Sequence, residues 1–451
     1  MTDRVDIRAL DELLHRCMKC GLCLPVCPTY NLTYEEQSSP RGRIRLMKYV
    51  HEGSMDVTRN FADEMYFCLD CQACQTACPA GVQYGTLVEE ARRLIDENKK
   101  DPFALRMLKS VFLRGILASK TRTKLAARLL RVYQQTGLRE AVDRTNLLGL
   151  FSDRLRQKHL LLPVVDAEFF DETTAEIVAA QGEKRGRVVF LSGCIMNVAF
   201  AGVHRDAVAV LSKNGFEVII PRRLQCCGSL HGHNGDYETA RTLARKNVDV
   251  LEGLEYDALI VDSAGCGAFL KEYGKLLADD AKYSSRAASL AGRVKDVTEF
   301  LPEVGFLRPE PRGGSDSPES AGWSRSNGVV RVTYHEACHL VHTQKISQQP
   351  RQLLQGIPGI EFVELPEATW CCGSAGIYNV VRFEDSMEIL DRKMKNLAST
   401  HADIVVTANP GCHIQLQYGI KKFGLNIEVL HPVSLLNRAY SGWPGRRDVV
   451  R

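Results

Sequence analysis

The stretch Cys17-Met18-Lys19-Cys20-Gly21-Leu22-Cys23-Leu24-Pro25-Val26-Cys27-Pro28 decides the reading of the fold. It returns as Cys68-Leu69-Asp70-Cys71-Gln72-Ala73-Cys74-Gln75-Thr76-Ala77-Cys78-Pro79, with each cysteine displaced by 51 residues. A tight loop with a thiolate at every third residue places three sulfurs on three corners of one cubane. The fourth cysteine, followed by proline, opens a segment that points elsewhere and meets the other cluster. The spacing predicts two [4Fe-4S] clusters, one on Cys17, Cys20, Cys23 and Cys78 and the other on Cys68, Cys71, Cys74 and Cys27. Zinc suits the pattern poorly, since a zinc site needs only four ligands.

The rest of the chain narrows the setting. Its 451 residues carry 58 basic and 54 acidic side chains, a net charge of +4 too small and too spread to make nucleic acid the default partner. With 45% hydrophobic and 25% charged residues it has the composition of a soluble globular protein of two to four domains. No apolar run approaches the roughly 18 residues of a membrane span. Met1-Thr2-Asp3-Arg4-Val5-Asp6 lacks the charged-then-apolar order of a secretory signal, so a cytoplasmic, reducing location is expected. There, sixteen cysteines mean metal or redox chemistry rather than a disulfide scaffold.

The last eight cysteines form a second duplication. Cys194, Cys226, Cys227 and Cys266 are followed by Cys338, Cys371, Cys372 and Cys412 at offsets of 144, 145, 145 and 146 residues. Short β-branched runs precede them in matching places: Arg187–Leu191 and Val329–Tyr334, Phe216–Ile220 and Ile360–Leu365, Ala258–Val261 and Asp403–Thr407. Helical segments such as Tyr237–Leu251 and Ser386–Leu397 lie between, and this alternation predicts parallel α/β sheets. All eight cysteines then follow the carboxyl ends of strands, the edge where open α/β sheets bind ligands. In Cys226-Cys227-Gly228 and Cys371-Cys372-Gly373, the glycine permits a turn sharp enough for both neighbouring thiols to reach one centre. A metal centre is favoured over buried inert thiols, with iron–sulfur and zinc both open.

The expected organisation is a multidomain α+β and α/β chain. It comprises a mainly helical two-cluster domain at 1–100, a basic helical linker at 101–183, an α/β repeat at 184–307, a Pro/Gly/Ser-rich connector at 308–328 and a second α/β repeat at 329–451. From Asp101 to Leu160 there are 13 Lys/Arg against 4 Asp/Glu, a charge balance that suits an anionic membrane surface or an exposed connector. Arg41, Arg43 and Arg45 on a helix after Pro40 are candidates for raising a cluster's potential, or for a solvated face. His335, His339 and His342 flank Cys338 and could donate to sulfur, move protons or bind metal; His231 and His233 are weaker candidates.

Several stretches together carry a family resemblance: Pro40-Arg41-Gly42-Arg43-Ile44, Gly265-Cys266-Gly267-Ala268-Phe269, Cys371-Cys372-Gly373-Ser374-Ala375-Gly376 and Thr407-Ala408-Asn409-Pro410-Gly411-Cys412. The second eight cysteines resemble the cysteine-rich CCG domain of heterodisulfide reductase subunits and of the iron–sulfur subunits of glycolate, lactate and anaerobic glycerol-3-phosphate dehydrogenases. The whole arrangement, two ferredoxin-type motifs and two CCG repeats, most resembles the glycolate oxidase iron–sulfur subunits. One departure stands out. The fuller CCG pattern ends in Cys-x-x-Cys, but Ser263 and Asn409 occupy the first of that pair here, leaving four thiols per repeat.

The resemblance implies an electron-transfer subunit of a flavin-dependent 2-hydroxyacid dehydrogenase, acting on glycolate, with a partner flavoprotein and a quinone or other membrane acceptor. It also implies a cytoplasmic chain peripheral to the inner face of the membrane. In agreement, no G-x-G-x-x-G fingerprint, phosphate loop or nucleophile elbow occurs, so no residue is assigned a catalytic role and the substrate site belongs to another chain. The rival readings are a heterodisulfide-type catalytic reductase, zinc-held scaffolding that docks the flavoprotein, and a lactate or glycerol-3-phosphate system.

Overall fold

The computed structural model describes residues 7–101, 103–310 and 329–442; most of the connector expected at 308–328 and the end of the second repeat lie outside them. In the N-terminal part, helix Ile7–His15 runs into the first cysteine loop and Arg59–Phe67 into the second. The loops bend at the same two places, Lys19 and Asp70 (φ 57° and 54°) and Gly21 and Gln72 (φ 91° and 58°). These left-handed residues coil each loop tightly enough to turn its cysteines inward. Between the loops, helix Pro40–His51 starts on Ser39, whose side chain accepts from the Gly42 amide, with Pro40 in the first turn. Met65, Val88 and Ile95 fill the core, together with Leu105, Leu113 and Leu117 of the linker.

The linker is a chain of short helices, Phe103–Leu108, the π-helical turn Lys109–Leu117, Lys120–Gln135, Leu138–Arg144, Leu147–Phe151 and Asp153–Leu160. Its anchor is Lys109, 1% exposed, whose Nζ donates to Tyr66 Oη at 2.9 Å and to Asp101 and Asp96 at 3.0 Å. Two carboxylates around one buried ammonium offset its desolvation.

The strands are β1 (Ile177–Val178), β2 (Gly186–Phe190), β3 (Phe216–Ile219), β4 (Ala258–Val261) and β5 (Val294–Asp296), then β6 (Val330–Tyr334), β7 (Ile360–Val363), β8 (Ile404–Val406) and β9 (Glu428–Leu430). Two sheets result, β1-β3-β2-β4-β5 and β7-β6-β8-β9. Apart from β1, an antiparallel edge strand inside the stretch assigned to the linker, all pairings are parallel and the two orders are identical. Even the register repeats, with Val188 opposite Val218 and Ala258, and Val332 opposite Phe362 and Ile404. β5 and β9 carry no sequence signal of their own, being three residues each and part charged.

The repeats pack with exchanged partners. Helix Ala201–Lys213, after β2, lies on Pro432–Tyr440, and Gln348–Gln355, ahead of β7, lies on Val297–Val304. Such reciprocal contacts are those a twofold axis generates. One continuous core joins Val188, Phe190 and Val297 to Val332, Tyr334 and Val433. In each sheet the chain order reverses beside the first strand, opening a crevice at the carboxyl ends of β2 and β4 and of β6 and β8. The cysteines of both repeats sit there.

Candidate metal centres

Cys17, Cys20, Cys23 and Cys78 line one void in the N-terminal domain, which Cys74 also borders. Cys27, Cys68, Cys71 and Cys74 line another. Burial pushes the Cys23 thiol up to about 11 and the Cys71 and Cys74 thiols well above their usual range. Bare, these thiols stay protonated; a bound metal core inverts that preference. Sulfur already meets donors suited to thiolate: the Asp70 amide at 3.3 Å and Tyr84 Oη at 3.6 Å both aim at Cys68 Sγ. The residues fit two iron–sulfur clusters by ligand type, number and enclosure.

The three arginines after Pro40 part company. Arg43 is fully buried, donates to Thr29 Oγ1 at 3.0 Å and to the Glu64 carbonyl at 2.8 Å, and faces Cys27 and Cys68. Arg41 borders the first void and donates to the Lys19 carbonyl at 3.0 Å. Arg45 is exposed and stacks on Tyr49.

In the first repeat the Sγ atoms of Cys194 and Cys226 lie 3.3 Å apart, and thiol contacts continue through Cys227 to Cys266. The second repeat strings Cys338, Cys371, Cys372 and Cys412 together in the same order. Both turns rest on a left-handed glycine, Gly228 at φ +89° and Gly373 at φ +90°; a Cβ on Gly373 would meet the Ser386 carbonyl at 2.6 Å. The glycine amides point back at Cys226 and Cys371 Sγ at 3.5 Å. Four contiguous thiols with amide donors fit one compact thiophilic centre per repeat. Asn409, in the place of a fifth thiol, donates to Cys412 Sγ at 3.6 Å and accepts from the Gly265 amide at 3.3 Å, so it ties the repeats to each other.

The histidines separate sharply. His342 Nδ1 meets Thr76 Oγ1 at 3.1 Å, and His231 Nδ1 meets Asp236 at 3.1 Å. His233, the weaker candidate from sequence, stands at the centre: its Nδ1 meets Glu89 Oε1 at 2.5 Å and Asp70 at 3.6 Å, and its ring lies 4.7 Å from that of His339. Burial pushes His233 down, but Glu89 and Asp70 outweigh it and hold the imidazole up at about 9. Arg92 completes the junction, donating to the Cys68 carbonyl at 2.6 Å and the His233 carbonyl at 2.7 Å. Sequence reasoning misses Asp70, Glu89 and Arg92 as partners of His233, because no local spacing links residues more than 140 positions apart.

The repeat thiols and the His233 junction open on one cavity of about 860 Å³. Cys68 and all eight cysteines of the repeats line it, with Asp70, His233 and His339, and the linker's Phe112, Ile116, Leu130 and Leu148 close its apolar side.

Known families divide the chain in the same way. A 4Fe-4S dicluster domain matches residues 13–82, the cysteine-rich CCG domain matches 188–271 and 332–417, and the glycolate oxidase iron-sulfur subunit linker region matches 104–162. A probable glycolate oxidase iron-sulfur subunit of Bacillus subtilis is 39% identical over 95% of this chain and 94% of its own length. The chain belongs to the glycolate oxidase iron–sulfur subunit family. The glycolate oxidase iron-sulfur subunit of Escherichia coli is 30% identical over 92% of both chains, and lactate utilization protein A of Shouchella clausii is 29% identical over 54% of this chain and 95% of its own. Membership makes the chain an iron–sulfur subunit of an oxidoreductase with an electron-transfer role. The family's linker region coincides with the helices that roof the cavity, so this segment belongs to the site's walls as well as to the chain's connectivity. Among the described residues, no helix is long and apolar enough to cross a membrane.

Proposed function

We propose that this chain takes electrons from a partner flavoprotein that oxidises glycolate to glyoxylate and passes them to a quinone-type acceptor. The flavin receives two electrons as hydride; the [4Fe-4S] clusters on Cys17, Cys20, Cys23 and Cys78, and on Cys68, Cys71, Cys74 and Cys27, forward them singly. The thiol centres of the two repeats receive them next. The observation that carries this reading is the single cavity onto which Cys68 and all eight repeat cysteines open. Three metal-binding sets that share one void leave no long gap for an electron to cross.

The acceptor side rests on the linker. Leu125, Leu129 and Val132 are exposed on helix Lys120–Gln135, which carries five of the segment's 13 basic side chains, and Leu150 and Phe151 are exposed further along the linker, a combination that suits an anionic lipid surface. Peripheral contact there brings the cavity's apolar side toward a lipid-soluble acceptor.

The test is reconstitution: the chain, its flavoprotein and a soluble quinone analogue, with glycolate, lactate and glycerol 3-phosphate supplied in turn. Glycolate-dependent quinone reduction that requires this chain supports the reading. Reduction driven equally well without the chain refutes it, and preference for another substrate moves the assignment to that acid.

A further inference from the structure

The second repeat holds histidines that the first lacks: His339, where the first has Ile195, already meets Cys338 Sγ through Nδ1 at 3.5 Å, and His335 has no such contact among the described residues. His335 stands at the carboxyl end of β6, where the first repeat has Leu191 after β2. Its amide donates to the Val406 carbonyl at 2.9 Å, which fixes the backbone at the end of β6 beside β8. His335 is 1% exposed, and neither ring nitrogen has a hydrogen-bond partner among the described residues. A ring nitrogen lies within 4.8 Å of the Sγ atoms of both Cys372 and Cys412. Buried imidazoles are ordinarily satisfied, so one that leaves both nitrogens empty beside two of the repeat's four thiols lacks a partner of the kind a metal supplies.

We propose that His335 binds, through a ring nitrogen, the metal centre held by Cys338, Cys371, Cys372 and Cys412, so that the two repeats carry chemically different centres. The first offers four thiolates alone. The second offers four thiolates and a neutral imidazole, which takes the role of the fifth donor that Asn409 cannot fill. Imidazole adds no negative charge, unlike a thiolate, and histidine ligation raises the potential of an iron–sulfur centre. Lys393 acts in the same direction: fully buried behind the thiols, it donates to the Glu367 and Ala368 carbonyls at 2.6 and 3.3 Å. The matching helix of the first repeat, Tyr237–Leu251, has Asn247 and Val248 at the corresponding positions. An added electron is therefore held more tightly in the second repeat, which gives the pair of centres a direction.

The inference rests on the reading that the repeats bind metal, and one experiment separates the two. The full chain, prepared anaerobically with natural-abundance or 15N-labelled histidine, is assayed for iron and zinc. It is then examined by pulsed electron paramagnetic resonance if the extra metal is iron, or by X-ray absorption at the zinc edge. The expected result is metal beyond the eight irons of the N-terminal domain, with one histidine nitrogen bonded: a coupling that changes on 15N labelling, or a mixed nitrogen–sulfur zinc shell. His335→Leu, which installs the residue the first repeat already tolerates, abolishes that nitrogen signal and shifts one redox component to lower potential. An all-sulfur environment in the wild-type protein overturns the role of His335 and leaves the metal reading standing. No metal beyond the eight irons overturns both.

Discussion

Arg43 concentrates the electrostatics of the N-terminal domain in one side chain. It is fully buried, 3.5 Å from Glu64, and its charge faces Cys27 and Cys68. Removing one partner of a buried pair leaves the other uncompensated, so Arg43→Met should cost about 3 kcal/mol, read by denaturant unfolding. It should also lower the potential of the cluster proposed on Cys27, Cys68, Cys71 and Cys74, read by redox titration. The arginines at 41, 43 and 45 were visible in sequence as candidates, but which of them turns inward was not. Residues two apart on a helix point to nearly opposite sides, and the choice belongs to whatever packs there. His233 makes a prediction of a different kind. Its imidazole titrates at about 9 and Asp70, raised by burial and by Glu89, at about 7. Both hold their protons more tightly folded than unfolded, where about 6.5 and 3.9 are ordinary. The stability they lend is therefore complete below the unfolded values and is lost as pH climbs through the folded ones. His233 alone should lend on the order of 3 kcal/mol at pH 6 that is gone by about pH 9.5. Unfolding of wild type and His233→Asn should show a difference at pH 6 that closes on the alkaline side.

At the scale of elements, the strand ends and turns carry the site. The β-branched runs before each cysteine were strong signals and became β2, β3, β4, β6, β7 and β8 within a residue or two. β1, β5 and β9 were silent because two or three residues at a sheet edge follow their neighbour's hydrogen bonds more than their own composition. The Cys-Cys-Gly turns were readable in full, since a left-handed residue after two adjacent thiols leaves glycine as the low-strain choice. Their two copies are not equally tight. A Cβ on Gly373 meets a backbone carbonyl at 2.6 Å, whereas one on Gly228 has the Phe269 ring at 3.2 Å as its nearest neighbour. Gly373→Ala should therefore destabilise the chain by about 2 kcal/mol or more and Gly228→Ala by less, compared in parallel thermal melts. Equal losses would mean that the local backbone relaxes around the added methyl.

For the whole molecule, the decisive feature is convergence. Cysteine counting alone reads the chain as separate blocks, and nothing in the spacing says that they meet. The meeting is made by contacts that span the chain: Arg92 to His233, His233 to Glu89, Thr343 to Gln72, and the core shared by both sheets. The linker, read from charge as a basic connector, also closes the cavity with its apolar side chains. Its outer face predicts binding to anionic vesicles that weakens with salt, and Leu150→Asp with Phe151→Asp should reduce co-sedimentation several-fold without altering iron content. Unchanged sedimentation would assign that face to another protein. The central claim is that the four thiol sets form one electron path fed by the flavoprotein. Low-temperature electron paramagnetic resonance of the reconstituted complex, frozen after glycolate is added, tests it most directly. The account predicts at least eight irons per chain and reduced [4Fe-4S] signals broadened by mutual coupling, which appear before the acceptor is reduced. Clusters that stay oxidised while glycolate is oxidised and quinol accumulates would contradict it.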